Sequence, residues 1–352
     1  MHMADALISP AVGGVFWAAT AGLAAHSARK IRDNPEQPDI PLMGVMGAFV
    51  FAAQMINFSI PGTGSSGHLG GGLLLAILLG PWRGFLTLAS VLLIQCLFFA
   101  DGGLLAWGCN VFNLGFYTCF LAYPLLYLPI RGAQPTRRRL VIASLVAAVV
   151  GLQLGAFSVV LETLFSGVTS LSLGAFILLM QPIHLAIGVV EGLATAALVC
   201  YVWRVRPEIL APASGQSGTG AGSAILSRRS VLLSLAVLAL LVGGFLSWFA
   251  SPSPDGLEWA LEKTAPAEAE VTPEPDIRST LAVWQEKTAI LPDYGFPADP
   301  EEPASLEAEE AEAWPAVNAG TSLAGVVGSA LTLLLAGLVG LVVSRWHRLA
   351  SG

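Results

Sequence analysis

Long apolar runs alternate with short polar breaks along this chain, and the breaks fall at Gly, Pro and charged residues. The runs predict spanning helices over residues 9–28, 41–58, 69–80, 83–100, 105–129, 139–163, 172–203, 231–250 and 321–344. Most match the roughly 20 residues that a helix needs to cross a hydrocarbon core about 30 Å thick. The run at 69–80 is too short at about 1.5 Å per residue. It reads as a half-length element whose ends other helices cover, because lipid offers its backbone no hydrogen-bond partners. The expected fold class is all-α: a polytopic membrane protein with a seven-helix block followed by a two-helix block.

Composition agrees with the pattern. Of the 352 residues 55% are hydrophobic and 12% charged, and the mean hydropathy is +0.70, against about 25% charged residues in soluble domains. The net charge of -7 hides a separation of basic from acidic residues into different loops, so it reports on topology and gives no sign of a nucleic-acid partner. Residues 207–227, rich in Gly, Ser and Ala, read as a flexible linker. It divides residues 1–206 from residues 228–352, and the second part encloses an acidic loop at 251–320 too polar to bury a core of its own. Much of that loop is expected to be extended or weakly ordered. Cys96, Cys109, Cys119 and Cys200 all lie in apolar segments without metal-ligand spacing and read as small core residues.

The positive-inside rule orients the spans. With the amino terminus outside, Arg29, Lys30, Arg32, Arg83, Arg131, Arg137, Arg138, Arg139, Arg204, Arg206, Arg228, Arg229, Arg345 and Arg348 fall inside, 14 of the 17 basic residues. The other three, Lys263, Arg278 and Lys287, share the long loop, which the rule exempts. This pattern places the chain in a bacterial inner membrane, with the amino terminus outside and the carboxyl terminus cytoplasmic. The start Met-His-Met-Ala-Asp carries neither a basic n-region nor a cleavage pattern, so no cleavable signal peptide is expected, and the bulky His2 disfavours trimming of Met1.

Retention of Met1 matters for chemistry. In an X-His start the terminal nitrogen, the His2 amide nitrogen and an imidazole nitrogen can chelate one ion in fused small rings. On the same outer side lies SIPGTGSSGHLGGG at 59–72, whose His68 could supply a fourth nitrogen. A planar nitrogen set favours Ni(II) or Cu(II). The glycines allow a tight turn that approaches the amino-terminal segment, and Asn57, Ser65 and Ser66 are candidates to hydrogen-bond the ligands' outer atoms. The bland alternative is an early polar histidine and an ordinary glycine turn.

Other ionisable residues weigh less. His26 and His347 read as interfacial and solvated. His184 and Glu191, seven apart and so near one helix face, read as a structural contact, although intramembrane ionisable groups are functional candidates by default. Glu162 near the outer end of its helix and Asp101 in a short outside turn could attract cations, with solvation as the simpler reading. None of the three lysines stands in a Walker A pattern, so the chain is not expected to be an enzyme, and any ATP-driven step falls to another protein. Small pairs on the first run, Ala18 with Gly22 and Ala21 with Ala25, suit close helix packing.

Four segments together carry a resemblance: the Met1-His2 start, GTGSSGHLGGG around His68, PIHLAIGVVEG, and PDGLEWALEKTA at 254–265. The chain resembles the substrate-binding membrane component of energy-coupling factor transporters for nickel and cobalt, the CbiM/NikM family, fused to a NikN/CbiN-like small subunit. The resemblance implies a square-planar site in which Met1 gives its amine, His2 its amide and imidazole nitrogens, and His68 an imidazole nitrogen. It implies Ni2+ as transported substrate, with Co2+ as the alternative, no organic cofactor, and two kinds of partner: a transmembrane coupling component and a pair of ABC-type ATPase subunits. The start departs from the commoner family form, since Met3-Ala4-Asp5-Ala6 stands where an Ile and an acidic-glycine turn are usual. A secondary metal transporter working alone is the alternative from another class.

Overall fold

The computed structural model describes residues 2–33, 40–167, 172–210, 226–264, 277–297 and 314–350. Met1 and residues 211–225 of the linker lie outside the described residues, as do 265–276 and 298–313 of the acidic loop. The chain runs through α1 (Pro10–Asp33), α2 (Ile40–Gln54), a hairpin of β1 (Phe58–Ile60) and β2 (Ser65–Gly67), α3 (Gly72–Leu79), α4 (Pro81–Phe99), α5 (Trp107–Arg131), α6 (Arg137–Ser166) and α7 (Leu173–Val205). Beyond the linker come α8 (Arg228–Gly244), the short α9 (Gly256–Thr264) and α10 (Ile277–Thr288), and α11 (Ala319–Ala350).

Local signals explain these bounds. Thr136 and Ser227 cap α6 and α8 by accepting from the backbone N–H of Arg139 and Ser230, and each helix opens on arginines. Gly80, at φ +80°, separates α3 from α4, which begins with Pro81 at a position where no N–H is needed. α3 is fully buried along its 8 residues, as the half-length reading requires. Two expectations change. The run at 41–58 stops being helical at Gln54, and the still-apolar Met55, Ile56 and Phe58 lead into the antiparallel hairpin, so the fold is not purely helical. The acidic loop is not simply extended either, because α9 and α10 form within it.

Among the described residues five helices, α4, α5, α6, α7 and α11, are long and apolar enough to cross a membrane, and α2 is a shorter apolar helix. The protein is a multi-pass membrane protein. α6 and α7 pack antiparallel: a Cβ on Gly188 would lie 2.9 Å from Cα of Val149, and one on Gly192 would lie 2.7 Å from Cα of Leu145. Small residues four apart thus let the two backbones close. On another face of α6, the exposed Val146, Val150, Leu154 and Phe157 form an apolar stripe at helical spacing, suited to lipid. Beyond the linker, α8 and α11 pack on α2, and α11 also packs on α4, so the second block lies against the first.

Candidate metal site

The amino-terminal segment threads into the first block. Met3 and Ile8 are fully buried. Asn110 holds Met3 on both sides: its Oδ1 accepts from the Met3 N–H at 2.8 Å and its Nδ2 donates to the Met3 carbonyl at 3.2 Å, which also accepts from Gly103 N–H at 2.9 Å. Asp5 Oδ1 accepts from Ala106 N–H at 2.9 Å, at the start of α5. Burial pushes the Asp5 carboxyl up, against these backbone donors. A Cβ on Gly103 would collide with the Asp5 side chain and backbone nitrogen, so glycine is what lets the segment pass.

His2 follows from that anchoring. Its Nδ1 lies 2.7 Å from Asp101 Oδ1, and its Nε2 is buried with no hydrogen-bond partner. Tyr294 donates its hydroxyl to Asp101 Oδ2 at 2.5 Å. Burial would raise the Asp101 carboxyl, but the His2 imidazole and the two hydrogen bonds outweigh it and hold the group below the usual carboxylate range.

The hairpin turns at Gly62 and Gly64, both with positive φ, and delivers His68 beside His2, with ring centroids 4.8 Å apart and stacked. His68 Nδ1 lies 3.1 Å from the Leu69 carbonyl. Beyond it the loop is pinned from below: Glu191 of α7 accepts from Gly70 N–H at 2.7 Å and Gly71 N–H at 3.1 Å, while Gln54 Nε2 donates to the Gly70 carbonyl at 2.8 Å. Burial first, then nearby positive charge including that of His2, holds the His68 imidazole below its usual range, so the ring presents a neutral lone pair.

The second block closes the other side. Ser66 N–H donates to the Pro254 carbonyl at 2.7 Å and Ser66 Oγ donates to the Ser253 carbonyl at 2.8 Å. Gln285 Nε2 donates to the Gly102 carbonyl at 2.6 Å. Asp255 caps α9 through Oδ1 and lines a small cavity together with His68 and His184.

Residues 2–209 match the family described as the cobalt uptake substrate-specific transmembrane region, CbiM. The chain belongs to the CbiM family. Its residues 229–345 match the PDGLE domain, so this CbiM-family chain carries a fused NikN/CbiN-like part. It is 30% identical to a putative fused nickel transport protein, NikMN, of Archaeoglobus fulgidus, over 99% of this chain and 100% of that one. It is 31% identical to the fused nickel transport protein NikMN of Rhodobacter capsulatus, over 69% of this chain and 74% of that one. A crystal structure described as a transition metal transporter superposes with a TM-score of 0.51 at 32% identity, covering 58% of this chain and 93% of the other.

The two imidazoles meet, but not in an arrangement that one shared ion would need. Imidazole lone pairs lie in the ring plane, so two stacked rings cannot both aim at one ion between them. Moreover, only Nδ1 of His2 can close a six-membered chelate with the His2 amide nitrogen, and here Nδ1 faces Asp101. Binding in the chelating mode requires the His2 ring to turn. Among the described residues no three His, Cys, Asp or Glu side chains form a group able to hold an ion, and the expected amine donor Met1 is not described.

The expected supporting residues take other places. Ser65 Oγ pairs with Thr63 Oγ1 at 2.8 Å, Ser66 ties to the second block, and Asn57 accepts from Ser251 N–H through its backbone carbonyl. These bonds hold the hairpin and its contact with residues 251–254; none reaches an imidazole. The expected His184–Glu191 contact is also absent: the carboxylate turns to the Gly70 and Gly71 amides, and His184 Nδ1 lies 2.8 Å from the Met180 carbonyl. The groups that do touch His2 and Met3, Asp101 and Asn110, stand 99 and 107 residues away from them in sequence. Only their polarity at the outer end of apolar runs could have marked them.

Proposed function

We propose that this chain is the Ni2+-binding component of an ATP-driven importer of the energy-coupling factor type, taking the ion at the outer face of a bacterial inner membrane. The ligands are the Met1 amine, the His2 amide and imidazole nitrogens, and a His68 imidazole nitrogen. The observation that carries this reading is the juxtaposition of His2 and His68 at 4.8 Å by a threaded, double-anchored amino-terminal segment and a glycine hairpin. In this reading residues 1–206 form a seven-helix binding block, 207–227 a linker, and 228–352 a two-helix block. The amino terminus lies outside and the carboxyl terminus in the cytoplasm.

The residues supply binding and no chemistry of their own. Four nitrogens in one plane suit Ni2+, with Co2+ as the second cargo. The ligand nitrogens must be unprotonated, so binding releases protons and weakens in acid. A coupling component and ATPase subunits would drive reorientation, and no hydrolytic activity is assigned to this chain. The test has two arms. Purified chain beginning at Met1 should bind Ni2+ tightly, and two residues added before Met1 should abolish that binding; unchanged affinity contradicts the ligand set. Coexpression with candidate ATPase subunits should make Ni2+ uptake depend on ATP, whereas uptake by this chain alone would favour a secondary transporter.

A further inference from the structure

Below the paired histidines lies a third one. His184 is fully buried in α7, and its Nδ1 sits 2.8 Å from the Met180 carbonyl one turn earlier. A carbonyl oxygen only accepts, so Nδ1 carries the ring hydrogen and Nε2 carries the lone pair. That Nε2 is buried and has no hydrogen-bond partner. An unmade bond at such a buried atom costs about 1–3 kcal/mol, which a ligand at Nε2 would offset.

The ring faces somewhere an ion could sit. His184, His68, Asp255, Gly67, Gly70 and Gly256 line one cavity of about 10 Å³, room for the centre of one water-sized occupant. A Cβ on Gly256 would lie 3.6 Å from His184 Cε1, so the glycine keeps the approach open. His68 is anchored in a similar way, with Nδ1 3.1 Å from the Leu69 carbonyl. Metal-ligating histidines characteristically donate the second ring N–H to a carbonyl or carboxylate in this way. The Asp255 carboxylate adds negative charge at the cavity wall.

We propose that His184 is a metal ligand on the inner side of this cavity, taking the ion through Nε2 as it leaves the outer nitrogen set while His68 still holds it. This rests on the outer-site reading above. The inner station offers two imidazoles only, since among the described residues no three His, Cys, Asp or Glu side chains form a group able to hold an ion. It holds the ion loosely, as a transfer step requires.

The test uses the full chain with two residues added before Met1, which disables the outer site. Titrated with Co2+, this chain should retain one weak binding event, and His184→Asn should weaken that event by about tenfold or more. Asparagine keeps a donor for Met180 and lacks the second nitrogen. The thermal melt of the extended chain should be unchanged by His184→Asn, which reports an intact fold. A second measurement needs no substitution: with 15N-labelled histidines in the extended chain, Co2+ should broaden His184 and His68 and spare His26 and His347. Absence of weak binding, weak binding indifferent to His184→Asn, or an unbroadened His184 resonance would each overturn the proposal. Tight binding that survives the extension would instead overturn the outer-site reading.

Discussion

The two segments that carry the paired histidines are held in different ways. The His2 segment is clamped within the first block, by Asn110 and Gly103 on the Met3 backbone and by Asp5 at the start of α5. The His68 hairpin is clipped between blocks, with Glu191 of α7 beneath its glycine amides and residues 253–254 of the PDGLE part across Ser66. The backbone clamp on the His2 segment lies within the first block, whereas the clip on the hairpin also uses the fused part. The fused block is a wall of the site as well as an appendage of it. Tyr294 and Gln285 extend the same wall to Asp101 and Gly102.

Substitutions can pull the two segments apart. The largest effect is expected from Gly103→Ala, whose Cβ collides with Asp5. It should expel the His2 segment and abolish tight Ni2+ binding while crosslinks between the hairpin and residues 253–254 persist. Asn110→Ala leaves the Met3 N–H unpaired in a buried place, at about 1–3 kcal/mol, so nickel titration should register a loss on the order of tenfold to hundredfold. Glu191→Gln keeps one acceptor but turns an NH2 toward the second glycine amide. It should weaken Ni2+ binding about tenfold through the hairpin, with amide exchange rising at Gly70 and Gly71 and unchanged at Met3. If exchange rises at Met3 instead, the two segments are not independent. Tyr294→Phe removes one hydrogen bond to Asp101 and should cost several-fold in affinity at most, about 0.5–1.5 kcal/mol.

Acidity provides a smaller and graded test. Burial holds the His68 imidazole below its ordinary value of about 6.5, so below that pH the unfolded chain takes a proton that the folded chain refuses. Stability should fall as pH drops through that window. Asp101 acts in the other range: held below the usual carboxylate value, it stabilises the fold above that value and loses this contribution only in stronger acid. Thermal melts between pH 7 and pH 5 should slope downward, and His68→Gln should flatten the slope.

The helical architecture was largely legible because lipid demands long apolar runs, and the arginines at 137–139 and 228–229 mark where α6 and α8 begin. The hairpin was not, since Met55, Ile56 and Phe58 continue the apolar run past the last helical turn. His2 and His68 stood out as histidines on one side of the membrane. Of their supports, Asp101 stood out only as a residue that could attract cations, and Asn110 and Tyr294 did not stand out, because they reach the site through tertiary packing that no local spacing encodes. Glu191 shows the limit most clearly, since its spacing pointed to His184 on its own helix while the structure turns it to the amides of Gly70 and Gly71.

The proposed site is a planar set of four nitrogens that includes the chain's own amine. The magnetic state of bound nickel tests it most directly, measured on protein whose amino-terminal mass shows Met1 present and unmodified. Square-planar nitrogen ligation predicts diamagnetic Ni2+ bound one to one. Paramagnetic, six-coordinate nickel on the same protein would contradict the account.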